Sequence, residues 1–267
     1  MIALKLQNII VQHANMLPIL NIVSFPSLMA FTGFANALAY NYGLRESSIT
    51  IISTGIDVEI GLINKYGQRN TNKIKGINTF TSSKSKKDLP LSEQPNVLGR
   101  LSLTLYIYFD DSIAESLRKD KDSGKLLKEL LTRYRIAGGV ISSIGSIEIL
   151  TKESIQEDII SKNKTGYFVV DERELIDKRK DEVNQAEAAF DILQESNYEN
   201  RFALTTVGYY LLENPVEREG SRNDKLHAYA EPLVGLISFK PVRDFSLEKE
   251  IPTWEVVKED NIIVAIN

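Results

Sequence analysis

The stretch Ser24-Phe25-Pro26-Ser27-Leu28-Met29-Ala30-Phe31-Thr32-Gly33-Phe34-Ala35-Asn36-Ala37-Leu38 runs a proline turn straight into an apolar segment. Its composition predicts a helix over residues 30–42, closed by Gly43 just past its C-terminal end. Ahead of it, Ile2, Leu4 and Leu6 alternate with Lys5 and Gln7, which is the period of a strand over residues 2–12. Behind it, residues 49–63 are rich in β-branched side chains and read as a second strand, with Gly55 and Gly61 as bend points. A helix carried between two strands in this way sets the fold class as α+β.

The pattern continues outward. Residues 64–97 have no apolar period and are rich in Lys, Asn, Ser and Thr, as in a long excursion or loose hairpin. Residues 99–107 alternate as a strand. Residues 112–135 read as helix, with Leu126, Leu127, Leu130, Leu131 and Tyr134 on one face and Asp122-Ser123-Gly124 as an interruption. Strands are expected over 140–150, 167–170, 202–212 and 230–239. A single charged helix is expected over 171–196, with Leu175, Ile176, Val183, Phe190 and Leu193 inward. The early order is compatible with a βαββαβ unit. The expected architecture is therefore an RRM/ferredoxin-like core in residues 1–150, carrying a basic excursion over 64–98. Residues 151–267 would add helices and strands packed on that core.

Composition narrows the function classes. The chain has 267 residues, 43% hydrophobic and 25% charged, which is ordinary for a globular protein with a real core. It has no cysteine, which excludes disulfides, thiolate metal sites and a cysteine nucleophile. The N-terminal residues alternate like a strand, not like a signal peptide, and the apolar runs fall short of the roughly 18–20 residues of a membrane span. A cytoplasmic protein is expected. The acids Asp57, Glu59, Asp110 and Asp111 form separate pairs without a nearby histidine, and neither a Walker motif nor GxGxxG is present, so no metal or cofactor is expected.

The net charge of −4 speaks against a nucleic-acid binder, but its distribution does not. Residues 62–87 carry no acid and hold Lys65, Arg69, Lys73, Lys75, Lys84, Lys86 and Lys87. Such a segment reads either as a solvated loop or as an electrostatic grip on RNA, with lysines on phosphates, Asn78 on sugar or base edges and Phe80 beside a base. The start of the apolar helix admits two readings as well: ordinary core packing, or backbone N–H groups offered to a phosphate. Arg135-Ile136-Ala137-Gly138-Gly139 pairs glycines, which suits a left-handed turn or a backbone that another strand of RNA or protein approaches closely.

Three of these segments, in this order and spacing, carry a resemblance: Val11-Gln12-His13-Ala14-Asn15, then Phe25-Pro26-Ser27 with Ala30-Phe31-Thr32-Gly33-Phe34, then Arg135-Ile136-Ala137-Gly138-Gly139. Together they resemble a CRISPR protein family, the second Csy subunit (Cas-five type) of type I-F surveillance complexes. Weaker matches are Gly99-Arg100, Thr165-Gly166-Tyr167-Phe168-Val169-Val170 followed by Arg173 and Leu175, Val207-Gly208-Tyr209, Ser221-Arg222-Asn223-Asp224, and Ala230-Glu231-Pro232-Leu233-Val234-Gly235-Leu236. The chain is shorter than typical members between Leu150 and Gly166 and between Ser196 and Arg201, and it has His13 where members tend to carry Asn or another residue.

The resemblance implies a non-catalytic subunit with a RAMP-type core. It would grip the 5′ handle of the crRNA, dock the large Cascade subunit and the first backbone filament subunit, and lie near the target DNA. The implied RNA-binding residues are Gln12, His13 and Asn15 on base or sugar edges. Phe31, Thr32 and Gly33 would shape the loop and helix start. Lys73, Lys75, Asn78 and Lys84 would meet phosphates or a kinked nucleotide, and Arg100, Arg135, Gly138, Gly139 and Arg222 would form a second contact row. Two other classes stand beside this reading. One is a metal-independent endoribonuclease using His13 or His227. The other is a protein-only interaction module, for which Tyr106 and Tyr108, on one face of their strand, are either a stacking platform or buried.

Overall fold

A computed structural model describes residues 1–19, 22–59, 97–179, 184–195, 201–220 and 226–267. Strand β1 (Ile2–Asn15) is followed by helix α1 (Leu28–Tyr40), β2 (Ser48–Glu59) and β3 (Leu98–Phe109). The 112–135 segment forms α2 (Ala114–Asp122) and α3 (Lys125–Thr132), broken at Gly124, whose φ of +73° no helix accommodates. Three short strands follow: β4 (Arg135–Ile136), β5 (Gly139–Ser143) and β6 (Ser146–Thr151). The remainder holds α4 (Lys152–Lys162), β7 (Tyr167–Asp171), α5 (Arg173–Asp177), α6 (Gln185–Gln194), β8 (Phe202–Leu211), β9 (Ala230–Pro241), β10 (Glu255–Glu259) and β11 (Ile262–Ile266).

The result is a mixed α+β protein built on one curled sheet of eleven strands among the described residues, in the order β10-β11-β8-β9-β7-β2-β3-β1-β5-β4. The pairings are antiparallel. The free edge of β1 is shared: β6 pairs with Ile2–Gln7 and β5 with Ile10–Gln12. The expected continuous strand over 140–150 is thus two, because β1 bends at its bulges and each half takes its own partner.

Helix α1 sits inside the curl. Its Leu28, Phe31, Thr32, Phe34, Ala35, Leu38 and Ala39 are buried, and it touches β2 and β4 on one side and β8, β10 and β11 on the other. Phe25 stacks on Phe31 at 5.3 Å and meets the edge of Phe239 on β9, which ties the proline turn to the C-terminal strands. The helix expected over 30–42 runs instead over Leu28–Tyr40 and caps at Asn41; Gly43, at φ +79°, completes the turn beyond the cap, and Leu44 N donates back to Ala39 O at 3.1 Å.

The opposite face of the central sheet is covered by α4 and by the 242–253 segment. Tyr106 and Tyr108 are therefore buried and not a stacking platform: Tyr106 donates to Asp158 Oδ2 at 2.8 Å, and the Tyr108 hydroxyl lies 2.9 Å from Thr50 Oγ1.

The single helix expected over 171–196 is corrected to α5 and α6. Asn184 starts α6 as an N-cap, its side chain accepting from Glu187 N at 3.0 Å, so the backbone is extended where one helix would continue. Phe190, expected inward, is exposed, while Leu175, Ile176 and Leu193 pack with Ile192 and Leu236. Val183 and the basic excursion, with Lys73, Lys75, Asn78, Phe80 and Lys84, lie outside the described residues, as does Arg222.

Candidate nucleic-acid interface

The three motifs converge at one end of the central sheet. Near its C-terminal end β1 carries a bulge. Val11 pairs with Leu101 and Ala14 with Gly99, so Gln12 and His13 together face the single residue Arg100 on β3. His13 takes the extra residue's strain, at φ +59°. Register then defines a cross-strand row. Asp57 on β2 lies opposite Arg100, Gln12 lies opposite Val140 on β5, and Val140 opposite Arg135 on β4. Paired residues share a face, so Asp57, Arg100, Gln12, Val140 and Arg135 point the same way, and all five are exposed. Leu101, Val11 and Ile141, their neighbours along the strands, turn into the core under α1.

The Arg135–Gly139 motif closes against β1. Asn15 N donates to Ala137 O at 2.8 Å, and Ala137 and Gly138 take positive φ values of 50° and 75°. A Cβ on Gly139 would stand 2.7 Å from Gln12 O and 2.8 Å from Ala14 N, so β1 itself occupies the close approach that this glycine permits. At Gly99 a Cβ would meet Met16 Cγ at 2.6 Å and Asp57 O of β2 at 2.8 Å, so the protein's own chain fills that approach as well. Gly138 has nothing within 4 Å of a notional Cβ and lies open at the surface.

Two clefts flank Gly138. The first, about 640 Å³, is lined by Gly33, Phe34 and Tyr40 of α1 and by Arg133, Tyr134 and Arg135. The second, about 340 Å³, is lined by Asn15, Pro18, Ser27, Thr206, Tyr209 and Pro232. Ala30, Ala137 and Gly138 form the ridge between them. Arg133 reaches Glu129 at 3.5 Å, and Arg135 donates to Tyr134 O at 2.9 Å. Burial, reinforced by the nearby Glu129 charge, pushes the Tyr134 phenol up from its ordinary value, so it stays a neutral hydroxyl.

Of the residues singled out in the sequence, Gln12, His13, Asn15, Gly33, Arg100, Arg135 and Gly138 meet at this end of the molecule. Phe31 and Thr32 do not reach the surface: both are fully buried, and Thr32 Oγ1 donates to Leu28 O at 3.2 Å within its own helix. His227 lies elsewhere in the chain's pairing, bridged to Val216. Arg133, Tyr209 and Pro232 were missed. Arg133 stands two residues before the Arg135–Gly139 motif. Tyr209 belongs to a recognised Val207-Gly208-Tyr209 stretch, but no local pattern reveals that the curl of the sheet carries it to Asn15. Glu59 and Leu98, the strand residues on either side of positions 60–96 with their seven clustered bases, pair at this same end. Among the described residues no group of three or more His, Asp and Glu side chains is placed to hold a metal ion, and no helix is long and apolar enough to cross a membrane.

A mixed α+β protein, with its family-like motifs gathered on one exposed, arginine-bearing end, is the class that fold and site define. The family model for CRISPR-associated protein (Cas_Csy2) matches residues 4–196, well over half of the chain. The chain belongs to this family, the type I-F Csy subunit family of CRISPR defence. No curated protein matches it significantly.

Proposed function

We propose that this chain is a non-catalytic, RNA-binding subunit of a cytoplasmic type I-F CRISPR surveillance complex. It grips the 5′ handle of the crRNA and docks the large subunit and the first backbone subunit, so that the guide can pair with foreign DNA. The observation that carries this reading is the convergence of three sequence-distant motifs on one end of the sheet, where Arg100, Arg133 and Arg135 are exposed and the flanking strand residues Glu59 and Leu98 pair. Guanidinium, amide and open backbone groups suit the holding of a phosphate chain. The antiparallel order β2-β3-β1-β6, with α1 and α2–α3 as crossovers, supports a ferredoxin-like, RAMP-type core beneath it.

The test is co-expression of the tagged chain with a type I-F repeat-spacer array and its neighbouring genes, with sequencing of the RNA that co-purifies. Uniform guide RNA with an intact 5′ handle, together with the filament and large subunits, is expected. The double variant R100E/R135E is expected to recover several-fold less guide RNA and to show a flatter salt dependence, since each lost phosphate contact removes about one unit of counterion-release slope. Bare protein from the wild-type chain, or unchanged recovery from the double variant, overturns this assignment.

A further inference from the structure

The two clefts that share the Ala137–Gly138 ridge differ in charge. Arg133 and Arg135 line the larger one, whereas the lining of the smaller one contains no ionisable side chain except the Tyr209 phenol. A nucleotide is divided in the same way, into an anionic phosphate and a neutral, flat base.

Most polar groups of the smaller cleft are already engaged within the protein. The Ser27 hydroxyl donates to Thr206 O at 2.9 Å, and Thr206 Oγ1 donates to Pro18 O. Pro18 and Pro232 have no backbone N–H to offer. Asn15 is held from two sides: its backbone N donates to Ala137 O, and its Oδ1 accepts from Leu17 N at 3.0 Å. That bond uses the acceptor of the amide and leaves Nδ2 as a donor at the cleft wall. Across the cleft, Tyr209 stands beside Pro232, its cross-strand partner, with its side chain exposed. It is fixed there by β9 on one side and by β11, through Ile263, on the other.

We propose that this smaller cleft is a nucleobase pocket. One unstacked base of the bound RNA handle lies against the Tyr209 ring with Pro232 beside it. Asn15 Nδ2 donates to an acceptor on the base edge, and the adjoining phosphate lies over the ridge toward Arg133 and Arg135. This rests on the handle-binding reading and goes beyond it: it makes the C-terminal strands part of the RNA site and gives that site a preference for a base edge rich in acceptors. Gly138 serves as the ridge because its bare Cα lets the sugar-phosphate pass closely.

The experiment uses the assembled complex carrying end-labelled guide RNA, probed with a single-strand-specific ribonuclease. In the wild type the handle is protected. Y209A and Y209L each raise cleavage at one handle nucleotide about tenfold, the loss expected for one base–aromatic stack, while the remaining handle stays protected. Y209W retains protection. N15D keeps the bond to Leu17 N but deletes the donor, and it exposes the same nucleotide. Equal protection in wild type, Y209A and N15D overturns the pocket and leaves the handle assignment standing. Protection in Y209L equal to wild type, or loss of a protein subunit in place of RNA protection, also overturns it, because an apolar protein side chain would then be the occupant. A wild-type handle that is cleaved freely overturns both readings. Tyr209 is surface-exposed, so its variants keep the melting temperature of the wild type; N15D gives an independent readout on the opposite wall.

Discussion

Adjacent glycines in the Arg135–Gly139 motif answer to different physical demands. Gly138 holds φ +75° in open space, so an alanine there meets only the left-handed backbone penalty, about 1 kcal/mol. Gly139 has an unremarkable φ but abuts the β1 backbone, so its alanine must push β5 off Gln12 and Ala14 at about 3 kcal/mol. Urea unfolding of G138A and G139A is expected to rank them in that order; equal midpoints would mean that β5 can shift without loss. The glycine pair reads in sequence either as a turn at positive φ or as a backbone approached by RNA or another chain; Gly138 takes the first, and at Gly139 the approaching backbone is the protein's own β1. What the sequence could not show was the identity of the approaching chain, because Val11–Ala14 is more than a hundred residues away. His13 belongs to the same scale. Its strained backbone follows from being the extra residue of a bulge, and no catalytic role is needed to account for it. H13A is expected to leave the length and 5′ end of the co-purified guide RNA unchanged; a longer, unprocessed RNA would instead favour the endoribonuclease reading.

Among the elements, α4 escaped notice in the sequence because its inward row is Ile155, Asp158 and Ile159, with a carboxylate where periodicity asks for an apolar residue. The partner of that carboxylate lies in β1. Lys5, fully buried, brings Nζ to 2.8 Å from Asp158 Oδ2, while Lys162 reaches Oδ1 at 2.8 Å. The Tyr106 hydroxyl donates to the same carboxylate and accepts from Asn163 Nδ2, both at 2.8 Å. The alternation that identifies β1 sets Lys5 as a polar residue against Ile2, Leu4 and Leu6; its ammonium is the clasp for a helix on the second face of the sheet. Burial alone would raise the Asp158 pKa, but hydrogen bonds from Lys162, Lys5 and Tyr106 outweigh it and hold the carboxyl below its ordinary 3.8. The unfolded chain therefore takes up the proton first as pH falls. The stabilisation from Asp158 is complete above about pH 4 and is lost as pH drops through the lower folded-state value. Stability measured by urea between about pH 5 and pH 2 is expected to fall more steeply in wild type than in D158N. K5M, which removes one partner of a buried pair and leaves the carboxylate in place, is expected to cost about 3 kcal/mol at neutral pH.

At the scale of the whole molecule, closure of the curl is what brings Tyr209 to Asn15, and that closure rests on few contacts. β2 and β7 share only two paired positions, Ile52 with Phe168 and Ser53 with Tyr167. Trp254 reinforces the seam. Its backbone exchanges two hydrogen bonds of 2.8 Å with Ile49 on β2, and its indole N–H donates to Val169 O on β7 at 2.9 Å. One fully buried side chain thus spans both strands of the junction just before the β10–β11 hairpin. The C-terminal hairpin went unread in the sequence, although Glu255-Val256-Val257-Lys258-Glu259 and Ile262-Ile263-Val264-Ala265-Ile266 frame an Asp260-Asn261 turn with Asp260 at φ +44°. The family match likewise ends at residue 196, before β8 begins. Yet α1, the most readable element of the chain, packs against β8, β10 and β11 as well as against β2 and β4, so its burial depends on strands beyond that boundary. W254A is expected to cost about 4 kcal/mol. Hydrogen exchange should locate that loss: amides of β7 through β11 should accelerate first, with α1 following them and β1 and β3 lagging. If β1 and β3 open together with β8 in W254A, the two halves of the sheet form one cooperative unit and the seam is not the weak point. If the C-terminal half opens alone, the nucleobase cleft is lost before the arginine row. RNA protection in W254A should then resemble that of Y209A, with R100E/R135E remaining distinct.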